Sequence, residues 1–246
     1  MFLSAFGASK PISAAVIPDP FWANVVFLQT CDGLTDGTFP GYFPAYLPNQ
    51  KTGISSTIQQ TSQSWSVSST PSVFGKALKN SSTLSFSSQY LGGIGATLSG
   101  QFTFEFSIYR AGTLGWKAQD LLARLEDSAS NGLRVEIISA SGNQGQVRLV
   151  GNNNVSGPLL NVDTWYDIAV TRDAAGSVRF FVNGLLYGQT TQSAVITDVA
   201  LPQGFSVTST SPFTYAAAPY SLDEIRITNI CRYTANYTPS HPFPAQ

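Results

Sequence analysis

The sequence predicts an all-β protein: an antiparallel two-sheet β-sandwich with an extended N-terminal arm. Three observations predict it. Phe102, Phe104, Phe106 and Ile108 alternate with Thr103, Glu105, Ser107 and Tyr109, and a period of two with one apolar side is a half-buried strand. Short segments of this kind recur through the chain at roughly 8–12-residue spacing, the mark of a sandwich or barrel. No amphipathic helical stretch interrupts them.

The elements follow in order. Residues 1–23 are rich in Ala, Ser and Pro, and Pro11, Pro18 and Pro20 bar a helix or a central strand there. This is the arm. It carries Phe2, Phe6, Ile12, Phe21 and Trp22, more large apolar groups than a solvated linker tolerates. They are expected to dock on a neighbouring subunit; a disordered leader is the other reading. Residues 24–30 (NVVFLQT) read as the first strand. Residues 31–63, with Gly33, Gly37, Pro40, Gly41, Pro44 and Pro48, read as a long loop with little regular structure. SWSVSS and STLSFSS are two short strand candidates within 64–91.

Beyond 102–109, strands are predicted at 120–126, 133–139, 146–150, 165–172, 178–182, 185–189 and 222–228. Asn183-Gly184 joins two of them as a tight hairpin, because both central residues of that turn need positive φ. No internal repeat is visible. The chain therefore divides into an arm, 1–23, and one sandwich domain, 24–246.

Composition excludes several functions. Charged residues make up 11% of the 246 residues, against about 25% in an average domain. The net charge is −1 and the basic residues are scattered singly, so no patch exists to displace counterions from a nucleic acid. No apolar run approaches the roughly 18–20 residues that span a bilayer. The N-terminus lacks a basic n-region and Lys10 breaks its apolar start, so no secretory signal is expected. Two cysteines without a CxxC pattern or a Cys/His cluster predict neither a disulfide scaffold nor a zinc site. If the first and last strands pair, Cys31 lies near Asp223, and Cys231 is about 25 Å further along at about 3.3 Å per residue. Unbridged thiols are expected.

Three segments carry a resemblance. VVFLQTCDG looks like an opening strand that ends in an Asp-Gly turn. TWYDIAVTRDAAGSVRFFVNGLLYG is similar to a hairpin that begins at Trp165 and closes on Asn183-Gly184. SLDEIRITNICRYTANYTPSHPFP resembles a closing stretch found in many tailed-bacteriophage virion proteins. Together they resemble the concanavalin A-like lectin/glucanase superfamily in its laminin-G-like or pentraxin-like branch, over about Val25 to Pro244. The resemblance implies a jelly-roll sandwich whose first and last strands are antiparallel neighbours. That would bring Asp32 to Asp223. Two readings stand for this pair: a Ca²⁺ site built with loop carbonyls, or acceptors of backbone hydrogen bonds in turns. The stretch FSVTSTSPFTYAAAP departs from the family pattern and reads as a loop. Family calcium and glycan sites sit on such loops, so neither carries over.

Catalysis is not expected. Glucanases of this fold use acids at alternate positions of one strand, which places them on one face. Here Asp223 and Glu224 are adjacent, so regular alternation points them apart. Asp223 then shares the inward face of Ile225 and Ile227, and Glu224 and Arg226 pair on the other. His241, alone of its kind, lies between Ser240 and Pro242 in the tail and reads as structural or solvent-exposed. Trp65, Trp116 and Tyr215 are candidate glycan platforms, or alternatively core plugs or subunit contacts.

The resemblance thus implies a non-enzymatic virion surface protein of a tailed bacteriophage, a capsid decoration or tail accessory. It would be made in the host cytoplasm and placed on the particle exterior, with other virion subunits, a homo-oligomer and a host-surface glycan as partners. A host-glycan adhesin on a tail fibre or spike is the alternative, and a glycan-active enzyme ranks below both.

Overall fold

The computed structural model describes residues 19–32, 36–38, 45–48, 55–60, 65–80, 89–91, 97–112, 116, 120–127, 131–200 and 220–243. Among them lie seventeen strands and no α-helix: β1 (Val25–Gln29), β2 (Gly37–Thr38), β3 (Ala45–Pro48), β4 (Ser55–Gln60), β5 (Trp65–Ser68), β6 (Ala77–Asn80), β7 (Gln89–Leu91), β8 (Phe102–Arg110), β9 (Leu121–Glu126), β10 (Gly132–Ser141), β11 (Gln144–Val150), β12 (Val155–Asn161), β13 (Trp165–Arg172), β14 (Ser177–Val182), β15 (Leu185–Thr191), β16 (Asp198–Ala200) and β17 (Tyr220–Thr228). No helix among these residues is long and apolar enough to cross a membrane.

The strands form a sandwich. The large sheet runs β15-β14-β13-β8-β17-β6-β5-β2, with β1 also paired to β17. The facing sheet runs β12-β11-β10-β9-β16, and β3, β4 and β7 make a small third sheet. All pairings are antiparallel. Between the two main sheets lies one apolar core. Phe104, Phe106, Ile108, Ile168, Val170, Phe180, Ile225 and Ile227 enter it from the large sheet, and Leu125, Leu133, Val135, Ile137, Val147 and Leu149 from the other. Each such side chain removed from water stabilises the fold by roughly 1.5–3 kcal/mol.

The period-two reading holds for β8, β13 and their neighbours, and the first and last strands pair as the resemblance implies, Gln29 opposite Ile225 and Leu28 opposite Arg226. Both cysteines are free thiols. Three expectations are corrected. The stretch read as a loop from 31 to 63 contains β2, β3 and β4. Strand β12 is an addition; its Gly157 and Pro158 look like turn residues. Pro is tolerated there because β12 is an edge strand, and a Cβ on Gly157 would lie 2.8 Å from Val147 and 2.9 Å from Phe180. The candidate strand STLSFSS falls outside the described residues.

The third correction positions the site. Strand β17 is not regular. It pairs with β6 at Ser221 and Leu222 and with β1 from Ile225 onward, and a bulge marks the changeover. Asp223 lies opposite Ser107 and Arg226 opposite Glu105, so Glu224 and Ile225 together face one residue. Glu224 takes φ 50°. An extra residue of this kind breaks alternation and re-aims side chains. Ile225 and Ile227 enter the core as expected, but Asp223, opposite Ser107, does not share their face.

Beyond β17, residues 229–243 cross the outer face of the large sheet. The Thr103 hydroxyl donates to the Ile230 carbonyl (2.8 Å) and that of Thr171 to the Tyr233 carbonyl (3.0 Å). The Tyr237 amide donates to the Gly184 carbonyl at the β14–β15 hairpin (2.9 Å). Part of this face of the sheet is thus covered by the chain's own closing stretch.

Candidate functional site

The outer face of the large sheet has a sealed half and an open half. The sealed half holds a buried ionic network. Arg226 donates through Nε to Glu105 Oε2 (2.9 Å) and through its terminal nitrogens to Glu105 Oε1 (3.2 Å) and Asp19 Oδ2 (3.1 Å). Arg232 reaches both oxygens of Asp19, and the Tyr233 hydroxyl donates to Glu105 (2.8 Å). The side chains of Asp19, Glu105 and Arg226 are almost wholly removed from water. Buried charge persists only when paired and hydrogen-bonded, and here each member has such partners. The expected Glu224–Arg226 pair is replaced by Arg226–Glu105, a consequence of the bulge.

Next to this network lies His241. Its Nε2 stands 2.8 Å from Asp167 Oδ1, and its Nδ1 3.9 Å from Glu224 Oε2. Ser107 donates its hydroxyl to the same Asp167 oxygen (2.6 Å), and the Phe243 amide donates to Glu224. Burial lowers the imidazole's affinity for a proton, but the nearby Asp167 and Glu224 carboxylates outweigh it and hold the pKa up at about 9. His241 is thus an imidazolium that fastens the closing stretch, not a base poised near neutrality. The crevice beside it, lined by Glu105, Asp167, Tyr233, Tyr237, His241 and Phe243 among others, encloses about 10 Å³, room for a single water. No sugar enters it.

The open half lies at the far ends of β8 and β13. Tyr109 and Trp165 are directly opposite each other, both partly exposed, with ring centroids 5.5 Å apart at 42°. Exposed Asp163, at φ 56°, accepts the Tyr109 hydroxyl (2.9 Å) and the Gly112 amide (2.8 Å) on Oδ1. Burial first, then the adjacent Asp163 carboxylate, raises the phenol pKa, so Tyr109 keeps its proton and remains a donor. Alternation could have found Tyr109, which occupies the solvent-facing register of FTFEFSIY. Trp165 opens its strand and reads equally well as a core cap.

The residues singled out in the sequence fall elsewhere. Trp116 is a core residue, 1% exposed, its ring packed near Tyr220 and beneath the Arg110 guanidinium; no sugar can stack on it. The side chain of Trp65 and all of Tyr215 lie outside the described residues, as do Phe2, Phe6 and Ile12. Trp22 packs on Val25, Leu28 and Phe243 of its own chain, and Phe21, 37% exposed, lies under Arg232. The end of the arm therefore docks on its own sandwich, because Asp19 is drawn into the Arg226–Arg232 pair.

Asp32 and Asp223 do come close, through one loop. Asp32 Oδ1 accepts the Lys76 amide (3.0 Å). Asp223 Oδ2 accepts the amides of Val73 (2.9 Å) and Phe74 (3.2 Å), and its Oδ1 that of Glu224 (2.8 Å). Carboxylates committed to amide donors in this way do not fit a calcium cage, which needs six to eight oxygens directed at the ion. Among the described residues no group of three or more His, Cys, Asp and Glu side chains could hold a metal ion.

A family model described as the concanavalin A-like lectin/glucanases superfamily matches residues 78–234. No curated protein sequence matches. Among solved structures, the chain is similar to the binding domain of Paraclostridial Mosquitocidal Protein 1 (TM-score 0.55, 11% identity, 87% of this chain and 50% of that one). It is similar to the receptor binding domain of a botulinum neurotoxin C/D mosaic serotype (0.55, 9%, 86% and 49%). A third is domain 4 of a GH43 extracellular arabinanase from Geobacillus stearothermophilus, in complex with arabinotriose (0.53, 12%, 85% and 93%). The chain spans about half the length of the two toxin domains. At these identities the likeness is one of fold. The family model covers most of the sequence and the described strands form the sandwich it implies; the chain belongs to the concanavalin A-like lectin/glucanase superfamily.

Proposed function

We propose that this chain is a non-catalytic, lectin-like binding module carried on the exterior of a tailed-bacteriophage particle, as a capsid decoration or tail accessory. The observation that carries the binding reading is the closing stretch sealing the large sheet. Glu105, Asp167 and Glu224 lie beneath it, each engaged with the tail or with an arginine, so they form no solvent-open pair of the kind glycoside hydrolysis needs. Function then belongs to the surface that remains open. The virion setting is supported by the sequence of that same stretch, whose CRYTANYTPSHPFP resembles virion proteins. A second reading, a host-glycan adhesin, is favoured by the arabinotriose-bound arabinanase domain of the same fold.

The test has two arms. The full chain is screened on a broad array of neutral and acidic oligosaccharides that includes arabinotriose, and the bound glycans are analysed for cleavage. Retention without products supports the module, and turnover abolished by Glu105→Gln or Glu224→Gln overturns it. Truncation of residues 2–18, which spares Asp19, is then tested for incorporation into the particle. Loss of incorporation with an intact fold supports the assembly role, and unchanged incorporation leaves the arm without one.

A further inference from the structure

We infer that Tyr109, Trp165 and Asp163 form a sugar platform that takes one neutral sugar ring of a glycan on the open half of the large sheet; this rests on the glycan-binding reading above. The rings stand on the outer face because their chain neighbours Ile108 and Tyr166, also opposite each other, turn to the core. At 5.5 Å and 42° they make a bent apolar floor about one sugar wide. A sugar ring is amphipathic. Its C–H face packs on aromatic carbon, and its hydroxyls then need acceptors at the edge of the floor.

Asp163 supplies one. Its Oδ1 is occupied by the Tyr109 hydroxyl and the Gly112 amide, while among the described residues no donor reaches Oδ2. That free oxygen lies beside Gly112, where a Cβ would stand 2.2 Å from it. A side chain there would displace the carboxylate, so glycine is what lets it sit at the edge of the rings. The turn holding Asp163 is fixed in addition by its amide, which donates to the Arg110 carbonyl (2.8 Å). Floor and acceptor are therefore set before a ligand arrives, which lowers the ordering cost of binding. The acceptor also sets the class of sugar. Arg110, next to Tyr109 in the chain, is turned inward onto Asp120 (2.8 Å) and Tyr220 (2.6 Å), so it does not offset Asp163. Among the described residues no cation pairs with Asp163, and such a carboxylate favours a neutral ring with hydroxyls to donate and repels uronic and sialic acids.

The experiment uses the full chain on the same array, followed by calorimetric titration with the best-bound neutral oligosaccharide. Trp165→Ala should weaken binding about tenfold or more, the loss of one well-packed contact. Asp163→Asn, Tyr109→Phe and Gly112→Ala, which leave the core untouched, should weaken it as well, with unchanged far-UV circular dichroism. Weakening in Asp163→Asn and Gly112→Ala supports the platform even if Trp165→Ala fails to fold. Wild-type binding that survives unchanged in Asp163→Asn and Gly112→Ala overturns the platform and leaves the binding module standing. A wild type that retains only acidic glycans overturns the neutral-sugar assignment. A wild type that binds no glycan on the array overturns both readings together.

Discussion

The carboxylate of Asp19 and the guanidinium of Arg232 meet in a two-pronged pair, one terminal nitrogen to each oxygen at 3.0 Å. Asp19 is buried, and Arg226 reaches the same carboxylate. The pair ties the entrance of the chain to its closing stretch, across more than two hundred residues of sequence.

Removing one partner of such a pair leaves a buried charge uncompensated, at a cost of about 3–5 kcal/mol. Asp19→Ala should therefore lower stability by about that amount in urea unfolding. Burial alone would raise the Asp19 pKa, but Arg232, the Phe21 amide and Arg226 together hold it below the usual value. A depressed carboxylate contributes stability above its unfolded pKa, near 4, and that contribution is lost as pH falls further. The wild type should accordingly lose stability more steeply than Asp19→Ala as pH falls below about 4, where the dependence in the variant flattens.

Much of the fold was legible because its strands alternate. FTFEFSIY and WYDIAVTR declare an inner and an outer face residue by residue, and Asn183-Gly184 declares the turn between β14 and β15. The site was less legible, for a physical reason. It depends on one inserted residue in β17, and a bulge has no signature in an alternating pattern: DEIRIT reads as regular strand until Glu224 is seen at φ 50°. Regular alternation paired Glu224 with Arg226. The bulge instead delivers Arg226 to Glu105 and leaves Glu224 to the tail. The role of Asp19 was hidden likewise, since its partners lie at the opposite end of the chain. Trp116 misled because its polar surroundings in sequence say nothing of a position between two sheets.

Asp223 should make the protein less stable as pH rises from about 4 to 7. Burial raises its pKa, the Glu224 charge adds to this, and the amides of Phe74, Val73 and Glu224 only partly offset it, to about 7. The folded state thus holds this proton more tightly than the unfolded chain. Stability falls where the folded state binds more protons, between the unfolded and folded pKa values. In Asp223→Asn the downward trend of Tm across that window should shrink. An unchanged trend would show that other groups cause it.

His241 acts in a higher window. A base whose pKa is raised contributes its stability in full below its unfolded value, near 6.5, and loses it as pH rises through about 9. The charged or titratable groups about it are Asp167 and Glu224, with Glu105, Tyr233 and Tyr237 along the crevice. Loss of the imidazolium should loosen the closing stretch before the sandwich. Amide exchange of Phe243 should therefore accelerate between pH 7 and 10 in the wild type beyond the intrinsic base-catalysed rate, and show no such excess pH dependence in His241→Gln.

Gly184 gives the sharpest mechanical test, because a second glycine serves as its control. Gly184 and Gly142 both have positive φ, 75° and 57°, so alanine at either adds backbone strain of roughly 1–2 kcal/mol. Their surroundings differ. Nothing lies within 4 Å of a Cβ built on Gly142, whereas one on Gly184 would stand 2.0 Å from the Tyr237 carbonyl oxygen and 2.8 Å from Pro239. Backbone and a proline ring cannot step aside as a flexible side chain can, so the closing stretch must lift. Gly142→Ala should lose about 1–2 kcal/mol, with exchange over 229–243 unchanged. Gly184→Ala should lose more than this and, in addition, expose the Tyr237 amide, which in the wild type donates to Gly184. If the two variants lose equal stability and Tyr237 stays protected in both, the hairpin is not what seats the closing stretch, and the Asp19 and His241 contacts must hold it alone.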